Sequence, residues 1–440
     1  MNSIKQPKFV SAEEAVKAIK SYDRVVLGNF CAEPVILPER LMDRAEELEG
    51  VKLFHLTPFG EFQERYATPG MEKHIRCVTA FCGRMKGPRA VIKQGRGDFV
   101  AVSLGNIPYF LVKSFDANVF MTMVSPPDEN GYVSLGVSVD FAWSLIEKPV
   151  DKIIVEINPR MPRTMGNSLL HLSQIDYAVE IDEPLFQFAP KKLTDVDMII
   201  GKNVASLVED GATIQVGFGG ISEATVGFLK DRKDLGVHSE MIPDGILDLA
   251  ELGVVNGNKK TNDKDKIVCT FIGGTKKIYD WIDNNEMVSM QRAEYTNSPI
   301  MASQCNKLTA INSALQVDLF GNIYSDIFGL NDQYTGSGGQ LDFAIGAALS
   351  QDSKFIIAMP STALKDTVSK IVVHPSLEKA NGIPLIPTVP RYYADIVVTE
   401  FGIAELKYKT NQDRAKALIK IAHPNFREEL EKTARTIGLA

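Results

Sequence analysis

The chain has 440 residues, 45% of them hydrophobic and 23% charged, with a formal net charge of −7. That length allows roughly three domains of ordinary size or two large α/β lobes, with ample apolar content for real cores. The acidic balance argues against nucleic acid or an anionic lipid surface as main partner, since both need a large basic patch.

No stretch approaches the roughly 20 apolar residues of a membrane span, and Met1 to Ala12 lacks the apolar core of a signal peptide, so a cytoplasmic chain without a membrane partner is expected. Cys31, Cys77, Cys82, Cys269 and Cys305 are odd in number and never spaced C-x-x-C, which points to reduced, buried thiols and no zinc site.

In chain order, Ser11 with Glu14 forms a capping box for a helix through Ala18-Ile19-Lys20, and Arg24 to Leu27 follows as a strand ending at Gly28-Asn29. Phe99 to Ser103, Val119 to Val124 and Lys152 to Glu156 are short apolar runs that predict buried strands. Pro126-Pro127-Asp128-Glu129-Asn130-Gly131 is a turn between strands, with Gly136 closing the segment.

The second half repeats this grammar. Thr194-Asp195 caps a helix through Val204 to Val208, Gly211 stops it, and Thr213 to Val216 is a strand ending at Gly217. Gly217 lies 189 residues after Gly28, and Asp318-Leu319-Phe320-Gly321 lies 190 after Asp128-Glu129-Asn130-Gly131. The paired spacing predicts two similar open α/β lobes related by internal duplication, 1–190 and 191–440, joined near Pro184 to Leu193.

Only the second lobe carries glycine clusters and a carboxylate at a strand end. Gly217-Phe218-Gly219-Gly220-Ile221-Ser222 is a turn whose backbone can approach a ligand, before a helix that begins near Glu223. Leu235 to His238 is the next strand, Ser239-Glu240-Met241 comes at its end, and Pro243-Asp244 opens another helix. In a parallel sheet that end is the ligand crevice. A second cluster follows at Gly336-Ser337-Gly338-Gly339-Gln340-Leu341-Asp342-Phe343. The chemistry is therefore expected in lobe two, with lobe one closing the cleft. Asn256 to Lys266 reads as a polar surface excursion.

Either glycine cluster alone is equally well a tight turn, and Gly217 to Ser222 lacks the last glycine of a dinucleotide fingerprint. Two clusters in one lobe, each after a strand-like run, point to convergent loops around one ligand. Most glutamates are solvated surface charges, and position alone raises Glu240 above them. His238 and His423 read as structural, because no second ligand or nucleophile stands at a useful spacing. Asp342 and Glu400 read as structural or supporting, and Lys365 either meets a phosphate or is a surface lysine.

Taken together, Gly217 to Ile221, His238-Ser239-Glu240-Met241, Gly336 to Phe343, Val398-Thr399-Glu400-Phe401-Gly402-Ile403-Ala404-Glu405-Leu406 and Ile421-Ala422-His423-Pro424-Asn425-Phe426-Arg427 resemble the acetyl-CoA hydrolase/transferase family. Ser125-Pro126-Pro127-Asp128 with Gly131 and Gly136 extends the resemblance into the first lobe, so it covers nearly the whole chain in order. The resemblance implies lobes of the CoA-transferase (NagB/RpiA-like) type. It places the nucleophile at Glu240 and the acyl-CoA loop at Gly217, Phe218, Gly219, Gly220 and Ile221. A second CoA loop falls at Gly336, Gly338 and Gly339; Lys365, a candidate from its own position rather than from the resemblance, would be a further CoA contact. Coenzyme A is then a substrate, no metal is required, and a homodimer or dimer of dimers is implied. One departure stands out: where many members have a short Ser-Asp-Ser or Ala-Glu-Ser run, this chain has Tyr324-Ser325-Asp326-Ile327-Phe328, whose bulk bears on the acyl pocket.

The implied reaction moves CoA between a short-chain acyl-CoA (acetyl, butyryl or 4-hydroxybutyryl) and a free acid, through a glutamyl-CoA thioester. A carboxylate suits it because its mixed anhydride with an acyl group is near a thioester in reactivity, whereas a serine ester would be a sink. Two other readings stay open at this stage: acyl-CoA hydrolysis, which differs in whether water reaches the intermediate, and a non-catalytic CoA- or nucleotide-binding module on the same scaffold.

Overall fold

Val119–Val124 is buried at all six positions, and a run shielded on both faces belongs inside a parallel sheet. With β1 (Lys8–Phe9), β2 (Arg24–Leu27), β3 (Val51–Phe54), β4 (Ile75–Thr79), β5 (Asp98–Phe99), β7 (Lys152–Ile157) and β8 (Tyr177–Glu180), this strand, β6, forms an eight-stranded sheet ordered β1-β8-β7-β6-β2-β3-β4-β5. Every pairing in it is parallel. The structure is a computed structural model describing residues 5–83, 85–148, 150–189, 192–329, 332–374 and 385–439.

The chain divides into two units. The first consists of Met1–Ala189, Val268–Thr296 and Asn331–Gly336, the second of Pro190–Ile267, Asn297–Leu330 and Ser337–Ala440. The predicted join near 190 coincides with one crossing, although Pro190 and Lys191 within it lie outside the described residues. The continuous ranges 1–190 and 191–440 need correction, because two later segments fold with the first unit. The physical reason for Val268–Thr296 is aromatic. The Phe271 ring lies 4.9 Å from that of Phe30, which stacks on Phe188 at 5.1 Å. Tyr279 Oη donates to Phe186 O at 2.7 Å, and Gly273 has no room for a Cβ, which would stand 2.2 Å from the Phe30 ring. Asn331–Gly336 is tied down by Asp332, which accepts from Arg89 and Lys93, both at 2.9 Å.

In the second unit β9 (Thr213–Val216), β10 (Gly236–His238), β11 (Thr309–Asn312), β12 (Lys354–Ala358) and β13 (Ile396–Thr399) run parallel, and β14 (Gly402–Glu405) is antiparallel to β13. Their order is β14-β13-β12-β11-β9-β10. A core including Val317, Phe343, Phe355, Ile357, Val397 and Leu418 fills one side of this sheet.

The two sheets share a plan. In each, the chain continues to one side of a glycine-ended strand and later returns on its other side, which makes a switch point between β2 and β6 and another between β9 and β11. Gly28 N donates to Met121 O at 2.7 Å, and Gly217 N donates to Ile311 O at 3.2 Å. The two turns correspond as well. Asp128 Oδ1 accepts from the amides of Asn130 and Tyr132 (2.9 and 2.8 Å), and Asp318 Oδ1 from those of Phe320 and Asn322 (3.0 and 2.9 Å). The glycines that close them, Gly131 and Gly321, have φ of 82° and 93°, conformations that favour glycine.

Local expectations held with shifts. Thr194 and Asp197 form a capping box on the helix Asp195–Ser206. The helix after Ser11 is regular only over Ala12–Val16 and then tightens into i→i+3 turns. Of Phe99 to Ser103 only Phe99 is in a strand, because β5 is the sheet edge and this segment is half-buried or exposed. Among the described residues no helix is long and apolar enough to cross a membrane.

Candidate active site

Glu240 stands immediately past the C-terminal end of β10, and its setting is built from the backbone outward. Ser239 is fully buried; its Oγ accepts from Val216 N at 3.3 Å and donates to Met241 O at 2.6 Å. This hydroxyl ties the turn that carries Glu240 to the end of β9, where the Gly217 loop begins. The glycine loop and the carboxylate are thereby neighbours at adjoining strand ends.

The loop itself matches the expected geometry, with the helix starting earlier than expected. Gly219 has φ 127° and open space where a Cβ would be, and the helix spans Gly220–Gly227 rather than beginning near Glu223. Starting at Gly220 brings its first turn to the loop, so the loop and the helix amides form one concavity. Phe218 is 46% exposed. The Asp197 carboxylate comes within 3.2 Å of the Cβ position of Gly220, but its oxygen is held by the Thr194 amide at 3.0 Å and the Thr194 hydroxyl at 2.7 Å.

The second glycine cluster divides. Gly336 belongs to the first unit, pressed so closely on Ala80 that a Cβ would stand 1.9 Å from its carbonyl oxygen. Gly338 (φ 52°) and Gly339 belong to the second unit, ahead of the helix Gln340–Ala348. Gly339 is the decisive one. A Cβ there would lie 2.0 Å from Glu240 Oε2 and 2.0 Å from Asn297 Nδ2. Only a residue without a side chain lets the backbone lie against this carboxylate.

Sequence reasoning missed Asn297. It is 1% exposed, and its Nδ2 donates to Glu240 Oε2 at 3.0 Å. It directly precedes Ser298-Pro299, the start of the short helix Pro299–Ser303, and a polar residue before a helix cap carries no signal of a partner 57 positions away. The amide orients one carboxylate oxygen and leaves the group acceptor-rich, as a nucleophile must be.

The remaining candidates have settings of their own. His238 is 1% exposed and faces the Phe343 ring at 6.4 Å. His423 caps the helix Pro424–Thr436, its Nδ1 accepting from Asn425 N at 3.3 Å. Glu400 accepts from Ser361 N at 2.9 Å and Ser361 Oγ at 2.5 Å, an anchor between the ends of β12 and β13. Asp342 is buried in its helix at 4% exposure. Lys365 is exposed at a hairpin tip, between Leu364 and Asp366, with all three in the left-handed region. In the Tyr324–Phe328 run, Tyr324 is buried with its hydroxyl on Asp318 Oδ2 at 3.1 Å, whereas Phe328 is 39% exposed. No group of three or more His, Cys, Asp or Glu among the described residues is arranged to hold a metal.

The acetyl-CoA hydrolase/transferase N-terminal domain matches residues 4–190, and the C-terminal domain of the same family matches residues 274–434. The chain belongs to the acetyl-CoA hydrolase/transferase family. The 4-hydroxybutyrate coenzyme A transferase of Clostridium kluyveri is 43% identical over 97% of each chain. Among solved structures, RipA from Yersinia pestis superposes with a TM-score of 0.90 at 33% identity, covering 98% of both chains. The 4-hydroxybutyrate CoA-transferase from Porphyromonas gingivalis gives 0.81 at 33% identity, covering 98% of this chain and 97% of that one.

Proposed function

We propose that this chain is a CoA-transferase that moves CoA from a short-chain acyl-CoA to a free carboxylic acid, with 4-hydroxybutyrate, butyrate and acetate as the acids to test first. The observation that carries the reading is the Glu240 carboxylate pressed against the Gly339 backbone and hydrogen-bonded by Asn297. A solvated surface glutamate has no use for such a setting. The 43% identity to a 4-hydroxybutyrate coenzyme A transferase supports the substrate class and favours transfer over hydrolysis.

The Glu240 carboxylate attacks the thioester carbonyl, the C–S bond breaks, and a mixed anhydride forms with release of CoA thiolate. The thiolate then attacks the Glu240 carbonyl, expelling the donor acid and leaving a glutamyl-CoA thioester. The acceptor acid reverses the sequence, so the kinetics are ping-pong. Each step passes through a tetrahedral oxyanion, and the backbone amides around Gly339 and the Asn297 carboxamide are the apt donors, each worth about 3 kcal/mol. The remote CoA arm supplies binding energy for alignment, with the Gly217–Ile221 loop and Lys365 assigned to it. CoA is a substrate here, the chemistry needs no metal, and the bulk of Ile327 and Phe328 trims the acyl pocket. We place the reaction in the cytoplasm, carried out by a homodimer or dimer of dimers.

A matrix of acyl-CoA donors against acetate, butyrate and 4-hydroxybutyrate tests the reading. Parallel-line kinetics and a borohydride- or hydroxylamine-trapped adduct on Glu240 are expected. Thiol release without an acceptor acid would instead mark a hydrolase, and binding without turnover a binding module.

A further inference from the structure

The short strand that leads to Glu240, β10, is held along its length by a group that the reaction does not use. Asn256 to Lys266 was expected to be a surface excursion, and most of it is polar and charged. Gly257 and Lys260 are buried all the same, and Lys260 is the one of them that carries a charge. Lys260 is only 6% exposed, and its Nζ donates to Val237 O at 2.9 Å and to Lys266 O at 2.8 Å. Burying an ammonium is costly unless its protons are taken up, and two fixed carbonyls meet that need here.

The surroundings are shaped to deliver this side chain. Its stem crosses Gly236, where a Cβ would stand 2.4 Å from Lys260 Cγ and 2.9 Å from Cδ. The glycine therefore leaves the groove that the lysine fills. The excursion is also fastened by its own bonds. Lys260 N and Asp265 N both donate to Gly257 O at 3.1 Å. Asn256 and Asn258 donate to Asp234 Oδ1 at 3.0 and 2.9 Å, and Thr261 N donates to Asn306 Oδ1 at 3.2 Å. Gly257, Asp263 and Asp265 take left-handed φ of 68°, 51° and 63° to close it. A solvated linker needs none of this.

We propose that Lys260 is a positioning residue for Glu240: it fixes the height and twist of β10, and so the place at which the carboxylate is presented. β10 has three residues, too few to set its own register firmly. From Val237 to Glu240 is three residues, about 10 Å of extended chain. A shift at the lysine end is passed to the carboxylate end with little slack, because Ser239 Oγ already ties the intervening turn to β9. Misplacement of a reacting group by about 1 Å can cost about 10²-fold in rate. Lys260 touches no substrate in this scheme. It acts through the strand.

The inference rests on Glu240 being the nucleophile, and the experiment separates the two claims. Wild type, Lys260→Met, Lys260→Arg and Gly236→Ala are compared for the rate of Glu240 adduct formation with acyl-CoA, for kcat and KM, and for melting temperature. Lys260→Met keeps the stem and loses both donors. Gly236→Ala keeps the ammonium and pushes the stem aside, so it serves even if the Met variant folds poorly. Both should slow adduct formation and kcat by about 10- to 100-fold, with KM for acyl-CoA within about twofold, at a temperature where each remains folded. Lys260→Arg, which can still donate to both carbonyls, should recover much of the rate. Variants that melt earlier but form the adduct at the wild-type rate would show a merely structural lysine and overturn the inference. A wild type that forms no adduct overturns the transferase reading and this inference with it.

Discussion

The two units place the same glycine at the same switch point and then treat the crevice in opposite ways. In the first unit the crevice is filled. A Cβ on Gly28 would stand 2.3 Å from Thr122 Oγ1 and 2.7 Å from Ala32 O. Glu156 occupies the start of the following helix, accepting from the amides of Val35, Ile36 and Leu37, each at 2.7 Å. Those amides are the acceptor-seeking start of a helix, and here the protein's own carboxyl group takes them. In the second unit the nearest atom to a Cβ on Gly217 is 3.6 Å away, and Gly219 has open space. The strand registers make Ala358 the counterpart of Glu156, since Met121 pairs with Ile154 and Ile311 with Ile356. The two units thus keep one scaffold, and an internal carboxyl group fills in the first the crevice that the second leaves open.

The largest test of this division is Glu240 itself. Glu240→Gln should lower exchange by at least about 10⁴-fold while the protein stays folded, because in the proposed mechanism Glu240 carries first the acyl and then the CoA moiety. Glu240→Asp withdraws the oxygen by about 1 Å and should cost about 10²-fold. Labelling with acyl-CoA followed by borohydride, and peptide mapping, checks both. An adduct on Glu33, Glu223 or Asp326 would move the nucleophile elsewhere.

Gly339→Ala comes next. Its Cβ would meet Glu240 Oε2 and Asn297 Nδ2, each at 2.0 Å, so either the carboxylate or the loop must shift. The expected loss is about 10²-fold in kcat with little change in melting temperature. An active Gly339→Ala enzyme would show that the carboxylate works from another position.

The paired glycines sharpen the comparison directly. Gly28→Ala overpacks a closed crevice and should cost about 1–3 kcal/mol of stability, read as a lower denaturation midpoint, with KM unchanged. Gly217→Ala meets nothing closer than 3.6 Å in the protein and should leave stability within about 0.5 kcal/mol while raising KM for acyl-CoA. Equal behaviour of the two variants would remove the distinction between filled and open crevices.

Much of this was legible before the structure because glycine and strand-end positions speak through backbone chemistry. Gly28, Gly217, the Asp128 and Asp318 turns and the position of Glu240 follow from local pattern, and local pattern is what a sequence displays. Asn297 and Lys260 were not legible. Asn297 acts on a carboxylate 57 residues away, and Lys260 inserts under a strand from within a polar run. Both depend on tertiary contacts that override the ordinary reading of their types. The return of Val268–Thr296 to the first unit was hidden for the same reason, since the aromatic partners Phe30 and Phe188 lie far upstream.

The smallest effect concerns acid groups inside the first unit. Burial pushes Glu33 up to about 8, against the pull of the Phe59 and Gly60 amides, and pushes Glu156 up to about 7 against three amides. Asp140, buried with Asn29 and Ser138, rises to about 6. In each case the native state holds a proton that the unfolded chain releases near the ordinary carboxylate value of about 4. Between those two values the native state binds more protons than the unfolded one, so stability falls as pH rises, and the loss is complete above the native value. The window runs from roughly pH 4 to 8, and its upper edge belongs to Glu33. Stability measured at pH 5, 6, 7 and 8 should therefore decline by up to about 1 kcal/mol per pH unit for each group still between its two values, most steeply from pH 5 to 6 and least from 7 to 8. Glu33→Gln, which keeps an acceptor for the two amides without a titrating proton, should flatten the decline between pH 6 and 8. Glu240→Gln, in the other unit, should leave it unchanged. A midpoint that rose with pH over this range, or a slope untouched by Glu33→Gln, would show that these carboxylates are ionised in the native state and that their backbone donors outweigh burial.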